Sequence, residues 1–247
     1  MTQAFESSST PTPPDPSWFD ALVKRPEIKV FKQDRRCRVW LAQDDTGKRW
    51  VVKRFATPSL RQSLQGAVGR HPVQREVLWQ GRLQAAGFAV APISDQGVDD
   101  KGRRYIVTPY LGPTLSEVLP QTPPLGAKRR HGLTRQVGAL VGRLLALRLY
   151  YRNLKTASLV VADDGRVVLI GVGDCRGSKG TPLLAVALGM LEFLHRDVQG
   201  LGPDGMCVTL SRADRLRFYR AMLAAWPSPP DGLQHLLRHP EFEKRYA

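Results

Sequence analysis

The first part of the chain alternates short runs of β-branched and aromatic residues with turn signals. The first three runs are "IKVFK", "CRVWLAQ" and "WVVKRF", and "DDTGK" between the last two predicts a β-hairpin. The stretch "VQREVLWQGRLQAAG" places Val73, Val77, Leu78 and Leu83 at helical spacing, which predicts an amphipathic helix that stops at Gly87. Two further runs, "AVAPIS" and "RRYIVTPYL", predict two more strands.

The second part of the chain is helical in pattern. After the Pro/Gly-rich "LGPTLSEVLPQTPPLG", residues 127–149 predict a long helix with one apolar face, formed by Leu133, Val137, Leu140, Val141, Leu144 and Leu147. "SLVVADDGRVVLIG" predicts a second hairpin, and 181–237 has helical periodicity. We therefore expect an α+β, bilobal protein. A disordered segment over 1–17 precedes a β-rich lobe with one main helix over 18–110, and a larger helical lobe over 111–247 follows, with a cleft between the lobes.

Composition and charge narrow the environment and the partners. The 247 residues are 42% hydrophobic and carry a formal net charge of +15, which favours polyanionic partners but also fits a solvated basic surface. Three widely spaced cysteines indicate neither a disulfide framework nor a zinc site, and they fit a reducing cytoplasm. The N-terminal stretch has no secretory pattern, and the longest apolar run is shorter than the roughly 20 residues of a membrane span. We expect a cytoplasmic protein, with a peripheral position on the inner membrane face as a further option.

The stretch "YYRNLKTASLVV" has the spacing of a kinase catalytic loop. Protein kinases place a phosphate-binding lysine on the third strand, its glutamate partner on the next helix, and a metal-binding aspartate after the catalytic loop. Lys53 in "WVVKRF" and Glu76 in the following helix match the first two positions. Asn153 occupies the catalytic position, and Lys155 follows it by two residues. Ser158 occupies the position of a metal-binding amide, and Gly171 occupies the position of the metal-binding aspartate. Four features in register indicate a kinase fold.

Residues 28–226 resemble the bacterial lipopolysaccharide-core kinases, the heptose/Kdo kinase family. The resemblance is carried by "VVKRF", by Arg75-Glu76, Leu83, Gly87 and Pro92, by "RRYIVTPYLGPTLSEVL", and by "RADRLRFYRAMLAAW". It implies a bilobal protein-kinase-like fold and a cytoplasmic phosphotransferase. It also implies ATP binding through Lys53, Glu76, Lys155 and the backbone around Pro109 and Leu111.

The chain departs from this family at the positions that perform the chemistry. Tyr151, Asn153, Ser158 and Gly171 replace the histidine, the catalytic aspartate, the metal-binding amide and the metal-binding aspartate. An asparagine cannot accept a proton as a general base, and neither serine nor glycine replaces the carboxylates that Mg²⁺ prefers. The leading hypothesis is therefore a pseudokinase that acts by binding, with ATP retained and Mg²⁺ disfavoured.

Two other hypotheses stay open. One is an atypical active kinase for a sugar or lipid, in which Asp174 or cationic residues replace the missing carboxylates. The other is a basic scaffold that binds an anionic surface without nucleotide. The scaffold hypothesis is suggested by eight cations in the acid-free stretch between Glu117 and Asp163, namely Lys128, Arg129, Arg130, Arg135, Arg143, Arg148, Arg152 and Lys155.

Three kinds of partner fit these cations: an anionic glycolipid, a membrane surface or a protein. Arg61 and Arg70 add charge on the other lobe. Nucleic acid fits less well because few aromatic residues are interleaved with the cations. His235 and His239 have a metal-binding spacing but no further ligand, and we interpret them as a helix end.

Overall fold

The chain folds into a mixed α+β protein. In its structure, a computed structural model, residues 16–23, 25–56, 71–121, 125–178, 183–200, 210–230 and 232–233 are described. The expected α+β class is confirmed by a five-stranded antiparallel sheet and several helices. No helix within these ranges combines the length and the apolar character that crossing a membrane requires.

Among the described elements, strands predominate in the first part of the chain and helices in the second. The helices are α1 (Pro16–Val23), α2 (Pro72–Ala85), α3 (Leu115–Val118), α4 (Ala127–Ala146), α5 (Leu183–Gln199) and α6 (Arg212–Ala224). The strands are β1 (Lys29–Gln33), β2 (Cys37–Gln43), β3 (Arg49–Phe55), β4 (Asp95–Val98), β5 (Arg104–Pro109), β6 (Leu149–Tyr151), β7 (Leu159–Val161), β8 (Val167–Leu169) and β9 (Cys175–Gly177). Two short 3₁₀ helices lie at Thr156–Ser158 and Val172–Asp174.

The chain divides into two compact units. The first unit extends to Gln74 and resumes at Pro92–Tyr110, and the second comprises Arg75–Ala91 and the chain from Leu111 onward. The lobe bounds 18–110 and 111–247 stay a prediction. Most of α2 belongs to the second unit, whereas the sequence pattern had assigned this helix to the first lobe.

The first unit is built on the five-stranded sheet, whose strands follow the order β1-β2-β3-β5-β4. The predicted hairpin is confirmed, because β2 and β3 pair antiparallel over seven residues on each side of the "DDTGK" turn. Helix α1 covers this sheet by inserting Phe19 and Leu22 among buried aromatic side chains, including Trp40 and Tyr105. The sheet is thereby apolar on one face, as expected for an antiparallel sheet.

The prediction of a strand at "AVAPIS" is wrong. The fourth strand is the next segment, Asp95–Val98, which pairs with β5. Val90 makes only an isolated bridge to Leu169, and the Ala91 N–H donates to the Leu169 carbonyl oxygen. The apolar character of the first half of "AVAPIS" is therefore explained by packing within the second unit, since Ala91 is buried against Val160 and Val168.

The second unit is centred on α4. Leu133, Val137, Leu140, Val141 and Leu144 are buried, as their spacing predicts, but Leu147 is 50% exposed because the helix ends at Ala146. Helix α6 packs directly on the backbone of α4 at two glycines. A Cβ at Gly138 would lie 2.3 Å from the Phe218 carbonyl oxygen, and a Cβ at Gly142 would lie 2.1 Å from the Met222 carbonyl oxygen.

Two small antiparallel sheets complete the second unit. Strands β7 and β8 form the second predicted hairpin, which is confirmed, and β6 pairs with β9. The loop that carries Asn153 connects β6 to β7, and the Gly171–Asp174 turn connects β8 to β9.

Some predictions lie outside the described residues. These are disorder over most of the 1–17 segment, the basic residues Arg61 and Arg70, and the histidines His235 and His239.

Candidate functional site

The loop between β6 and β7 is anchored from within. Leu154 is fully buried, and the backbone N–H and hydroxyl of Thr156 donate to one carboxylate oxygen of Asp197 at 2.7 and 2.6 Å. Asp197 belongs to α5, so this helix fixes the middle of the loop. Asn153 and Lys155, on either side of Leu154, are exposed. The loop therefore presents the two residues that the sequence pattern assigned to a phosphate-handling site.

The turn after β8 holds Gly171 in a left-handed conformation, with φ 66° and ψ 35°. Tyr151 fixes this turn, because its hydroxyl lies 2.9 Å from the Ile170 carbonyl oxygen and 2.7 Å from that of Gly171. Burial raises the pKa of Tyr151 well above its usual value, so the hydroxyl remains a donor at neutral pH. Ser158 joins the same arrangement through its carbonyl oxygen, which accepts from the Ile170 N–H at 3.0 Å.

Asp174 lies at the end of this turn and is held by two side chains. The Asn153 amide nitrogen donates to its Oδ2 at 2.9 Å, and Arg75 Nη2 lies 3.4 Å from its Oδ1. Arg75 also donates to the Gly173 carbonyl oxygen. We call Arg75, Asn153 and Asp174 the Asp174 cluster. Asp174 is a substitute metal ligand in the atypical-kinase hypothesis, but the motif spacing gives no indication of its contact with Arg75, which lies 99 positions away in the chain.

Helix α2 meets the turn at Gly173. A Cβ on Gly173 would lie 3.0 Å from Glu76 Oε2 and 3.5 Å from the Glu76 backbone nitrogen, so only glycine permits this approach without displacement. Glu76 itself is buried. Arg75 and Glu76 therefore fix the first turn of α2 to the Gly171–Asp174 turn.

Cys175 lies behind the same turn and is fully buried. Burial, together with the nearby carboxylates of Glu76 and Asp174, raises the pKa of its thiol to about 12. Because the thiolate is the nucleophilic form, Cys175 is unsuited to covalent chemistry at neutral pH.

The remaining predicted residues are divided between the two units. Lys53 lies on β3 opposite Val39 and Ile106, with its Nζ 5.1 Å from the centre of the Phe55 ring. Pro109 ends β5 opposite Trp50 in the same unit. Leu111 packs in the second unit, as part of the apolar cluster around Ala91, Val160 and Val168. The ion pair between Lys53 and Glu76 stays a prediction.

The residues at the turn do not fit the Mg²⁺ that the family resemblance implies. Mg²⁺ requires octahedral oxygen ligands at about 2.0–2.1 Å, usually with one or two carboxylates. Gly171 contributes no side chain, and both oxygens of Asp174 face donors of the protein. Within the described ranges, no three His, Cys, Asp or Glu side chains are grouped so that they could hold a metal ion.

The eight cations between Glu117 and Asp163 do not form a uniform surface. The Arg130 Nε donates to Asp214 at 2.9 Å, and Arg143 donates to the carbonyl oxygens of Ala86 and Gly87 at 3.1 and 2.9 Å. These two arginines have structural roles. The other six are exposed: Lys128, Arg129, Arg135, Arg148, Arg152 and Lys155.

The sequence matches no protein-family model, and no curated protein is similar to it at a significant level.

Proposed function

We propose that this chain is a protein-kinase-like protein that has lost phosphoryl-transfer chemistry and acts by binding, as a lipopolysaccharide-kinase-type pseudokinase. The order of its elements supports the proposal. A five-stranded antiparallel sheet carries Lys53 on its third strand, and the next helix among the described residues carries Glu76. The loop with Asn153 precedes a β-hairpin, and the turn with Gly171 follows that hairpin. Protein kinases place the corresponding lysine, glutamate, catalytic loop and metal-binding aspartate in the same order.

The observation that carries the loss of chemistry is the hydrogen bond between Asn153 and Asp174. A kinase base accepts the proton of the acceptor hydroxyl at this position. Asn153 instead donates to a carboxylate at 2.9 Å, and an amide has no basic pair to accept a proton. Losing a general base costs about 10²–10⁴ in rate, and losing the metal-binding carboxylate removes charge stabilisation as well.

ATP is the ligand that best fits the residues that remain. Lys53, Glu76 and Lys155 are present at the positions that bind phosphates or orient the lysine in kinases, and the chain around Pro109 and Leu111 corresponds to the adenine-binding hinge. Electrostatic attraction from a chain of net charge +15 favours a polyanion. The proposed role is therefore nucleotide binding without transfer.

Nucleotide binding is tested by thermal denaturation of the full chain with ATP, once in the presence of Mg²⁺ and once in the presence of EDTA. ATP at ten times its Kd should raise the melting temperature by about 3–5 °C, since it stabilises the folded state by about 1.4 kcal/mol. Lys53→Ala should abolish this shift. Lys32→Ala, which removes a lysine of the same sheet that pairs with Asp34 at 3.0 Å, should retain it.

Two results would favour the other hypotheses. Transfer of labelled phosphate to a sugar or lipid acceptor, lost in Asp174→Asn, would favour the atypical kinase. A wild-type protein that shows no shift with any nucleotide would favour the basic scaffold.

We further propose that an anionic membrane surface is the partner of the exposed cations. Lys128, Arg129 and Arg135 are exposed on α4, in a stretch without acidic residues. On α6, Leu216 is 48% exposed between Arg212 and Arg220, which lie on the same helical stripe. The absence of acidic residues among the exposed cations of α4 supports attraction to an anionic surface of this kind.

Binding to vesicles tests this partner. The protein should sediment with vesicles that contain phosphatidylglycerol and should not sediment with pure phosphatidylcholine vesicles. Salt should weaken the binding. Changing Lys128, Arg129 and Arg135 to glutamate should weaken binding by more than about a hundredfold, since each cation near an anionic surface contributes about 1 kcal/mol. The matched control makes the same change to glutamate at Arg35, Arg36 and Lys101, which are exposed in the first unit. This variant should bind vesicles nearly as well as wild type. Equal losses in both variants would show a net-charge effect without a defined surface.

A further inference from the structure

The positive charge at the Gly171–Asp174 turn is supplied by the protein itself. Arg75 Nη2 lies 3.4 Å from Asp174 Oδ1 and also donates to the Gly173 carbonyl oxygen. These two acceptors belong to adjacent residues, so the guanidinium spans the end of the turn. The Arg75 side chain is 32% exposed and that of Asp174 is 45% exposed, so both are accessible from solvent and still in contact.

The second carboxylate oxygen of Asp174 also has a hydrogen-bond donor in the protein. Asp174 Oδ2 accepts from the Asn153 amide at 2.9 Å, which orients the amide with its nitrogen toward the carboxylate. A divalent cation at this carboxylate would have to displace the guanidinium and break the Asn153 bond. It would gain the Asp174 carboxylate in return, and Gly171 offers no ligand.

The position of the Arg75 guanidinium is set by the packing of the chain around it. Helix α2 lies close to the turn at Gly173, where an added Cβ would lie 3.0 Å from Glu76 Oε2 and 3.5 Å from the Glu76 backbone nitrogen. Tyr151 holds the other end of the turn through the carbonyl oxygens of Ile170 and Gly171. The contact with α2 on one side and the Tyr151 hydrogen bonds on the other therefore fix the turn against which the guanidinium lies.

We propose that Arg75 takes the place of a metal ion in the Asp174 cluster, so that this site works without a divalent cation. The inference rests on the proposed function for its meaning, because a metal is expected here only if the chain is kinase-like. One prediction is that any nucleotide binding is unaffected by EDTA. A second is that removing the guanidinium opens the carboxylate to metal, most of all when a second carboxylate replaces the amide of Asn153.

The test uses Mn²⁺ alone, without nucleotide, so its outcome is separate from that of the nucleotide experiment. Binding is followed on the full chain by the loss of the free Mn²⁺ paramagnetic resonance signal. Wild type and Arg75→Lys, which keeps the positive charge, should show no saturable site. The double variant Arg75→Gln/Asn153→Asp should bind one Mn²⁺ per chain in a saturable manner, at least about tenfold more tightly than the lower limit set by wild type, and Mg²⁺ should compete.

A matched control keeps the new carboxylate and removes a different arginine. Arg82 lies on the same helix, over the Trp79 ring and away from the turn, so Arg82→Gln/Asn153→Asp should bind no more Mn²⁺ than Asn153→Asp alone. Circular dichroism establishes that each variant is folded. A wild-type protein that binds one Mn²⁺ in competition with Mg²⁺ would overturn the proposal. So would a folded Arg75→Gln/Asn153→Asp variant that binds none.

Discussion

Replacing Gly142 by alanine should destabilise the second unit by about 3 kcal/mol or more. The added Cβ would lie 2.1 Å from the Met222 carbonyl oxygen and 3.0 Å from the Ala225 Cβ. The closer atom belongs to the backbone of α6 and cannot rotate away, so the two helices would have to separate. Inserting a methyl group into a packed interior usually costs about 1–3 kcal/mol, and a clash with a backbone atom belongs at or above the upper end.

The same helix supplies a control of opposite sign. Gly132 lies on α4, and no atom within 4 Å would meet a Cβ there. Gly132→Ala should stabilise the protein by up to about 1 kcal/mol, because alanine has the higher helix propensity and loses less backbone entropy on folding. Gly138→Ala, whose Cβ would lie 2.3 Å from the Phe218 carbonyl oxygen, should resemble Gly142→Ala.

Thermal denaturation followed by circular dichroism distinguishes these variants. For a chain of this size, 1 kcal/mol corresponds to roughly 2–4 °C, so Gly142→Ala should melt about 6–12 °C below wild type and Gly132→Ala slightly above it. A Gly142→Ala protein with the melting temperature of wild type would show that α4 and α6 do not meet backbone to backbone.

Hydrophobic periodicity predicts several regular elements of the fold but misses β4, β6 and β9. Both hairpins follow from a turn signal between β-rich runs, and the buried face of α4 follows from its leucine and valine spacing. The failure at "AVAPIS" has a physical reason. A short apolar run can be buried by packing without pairing along its length, as Ala91 and Val90 are, and periodicity cannot distinguish the two situations.

The candidate site could be predicted only as far as the motif spacing extends. The spacing selected Asn153, Ser158 and Gly171, and the structure places all three around the loop and turn of the second unit. It did not indicate what holds them, because Tyr151, Arg75 and Asp197 act through contacts between distant parts of the chain. One available signal was the glycine at 173, where an added Cβ would lie 3.0 Å from Glu76 Oε2.

Charge patterns show the same limit in the basic stretch of the sequence. Arg130 counts as one of eight cations in the sequence, but it pairs with Asp214, a carboxylate that lies 84 positions away and is fully buried. Asp214 also accepts from the backbone N–H and the hydroxyl of Ser211, which caps α6. His131 Nε2 lies 3.3 Å from its other oxygen. A single buried acid therefore joins the first turn of α4 to the start of α6.

Replacing Asp214 by asparagine should destabilise the protein by about 3 kcal/mol at pH 7. Breaking a buried ion pair by removing one partner usually costs about 3–5 kcal/mol, and the lower value is appropriate because Arg130 is 30% exposed and regains some hydration. The asparagine amide would also bring donors against the donors of Ser211 and Arg130, which weakens the cap of α6. Urea denaturation at pH 7 measures this difference. Glu192→Gln, which removes an exposed i,i+4 pair with Arg196 on α5, should cost only about 0.3–0.5 kcal/mol.

The pH dependence of the same variant identifies the charge as the cause. Burial alone would raise the pKa of Asp214, but the hydrogen bonds from Ser211 and the contact with Arg130 lower it further than burial raises it, so the folded value lies below the usual 3.8. A carboxyl whose pKa is lower in the folded state stabilises the protein above its unfolded pKa, and the stabilisation is lost as the pH falls through the folded value. The difference in unfolding free energy between wild type and Asp214→Asn should therefore stay constant from pH 7 to about 5 and shrink below about pH 4. If the difference instead remains unchanged down to pH 3, the cost of the substitution arises from altered packing, and Asp214 does not stabilise the junction of α4 and α6 as an anion.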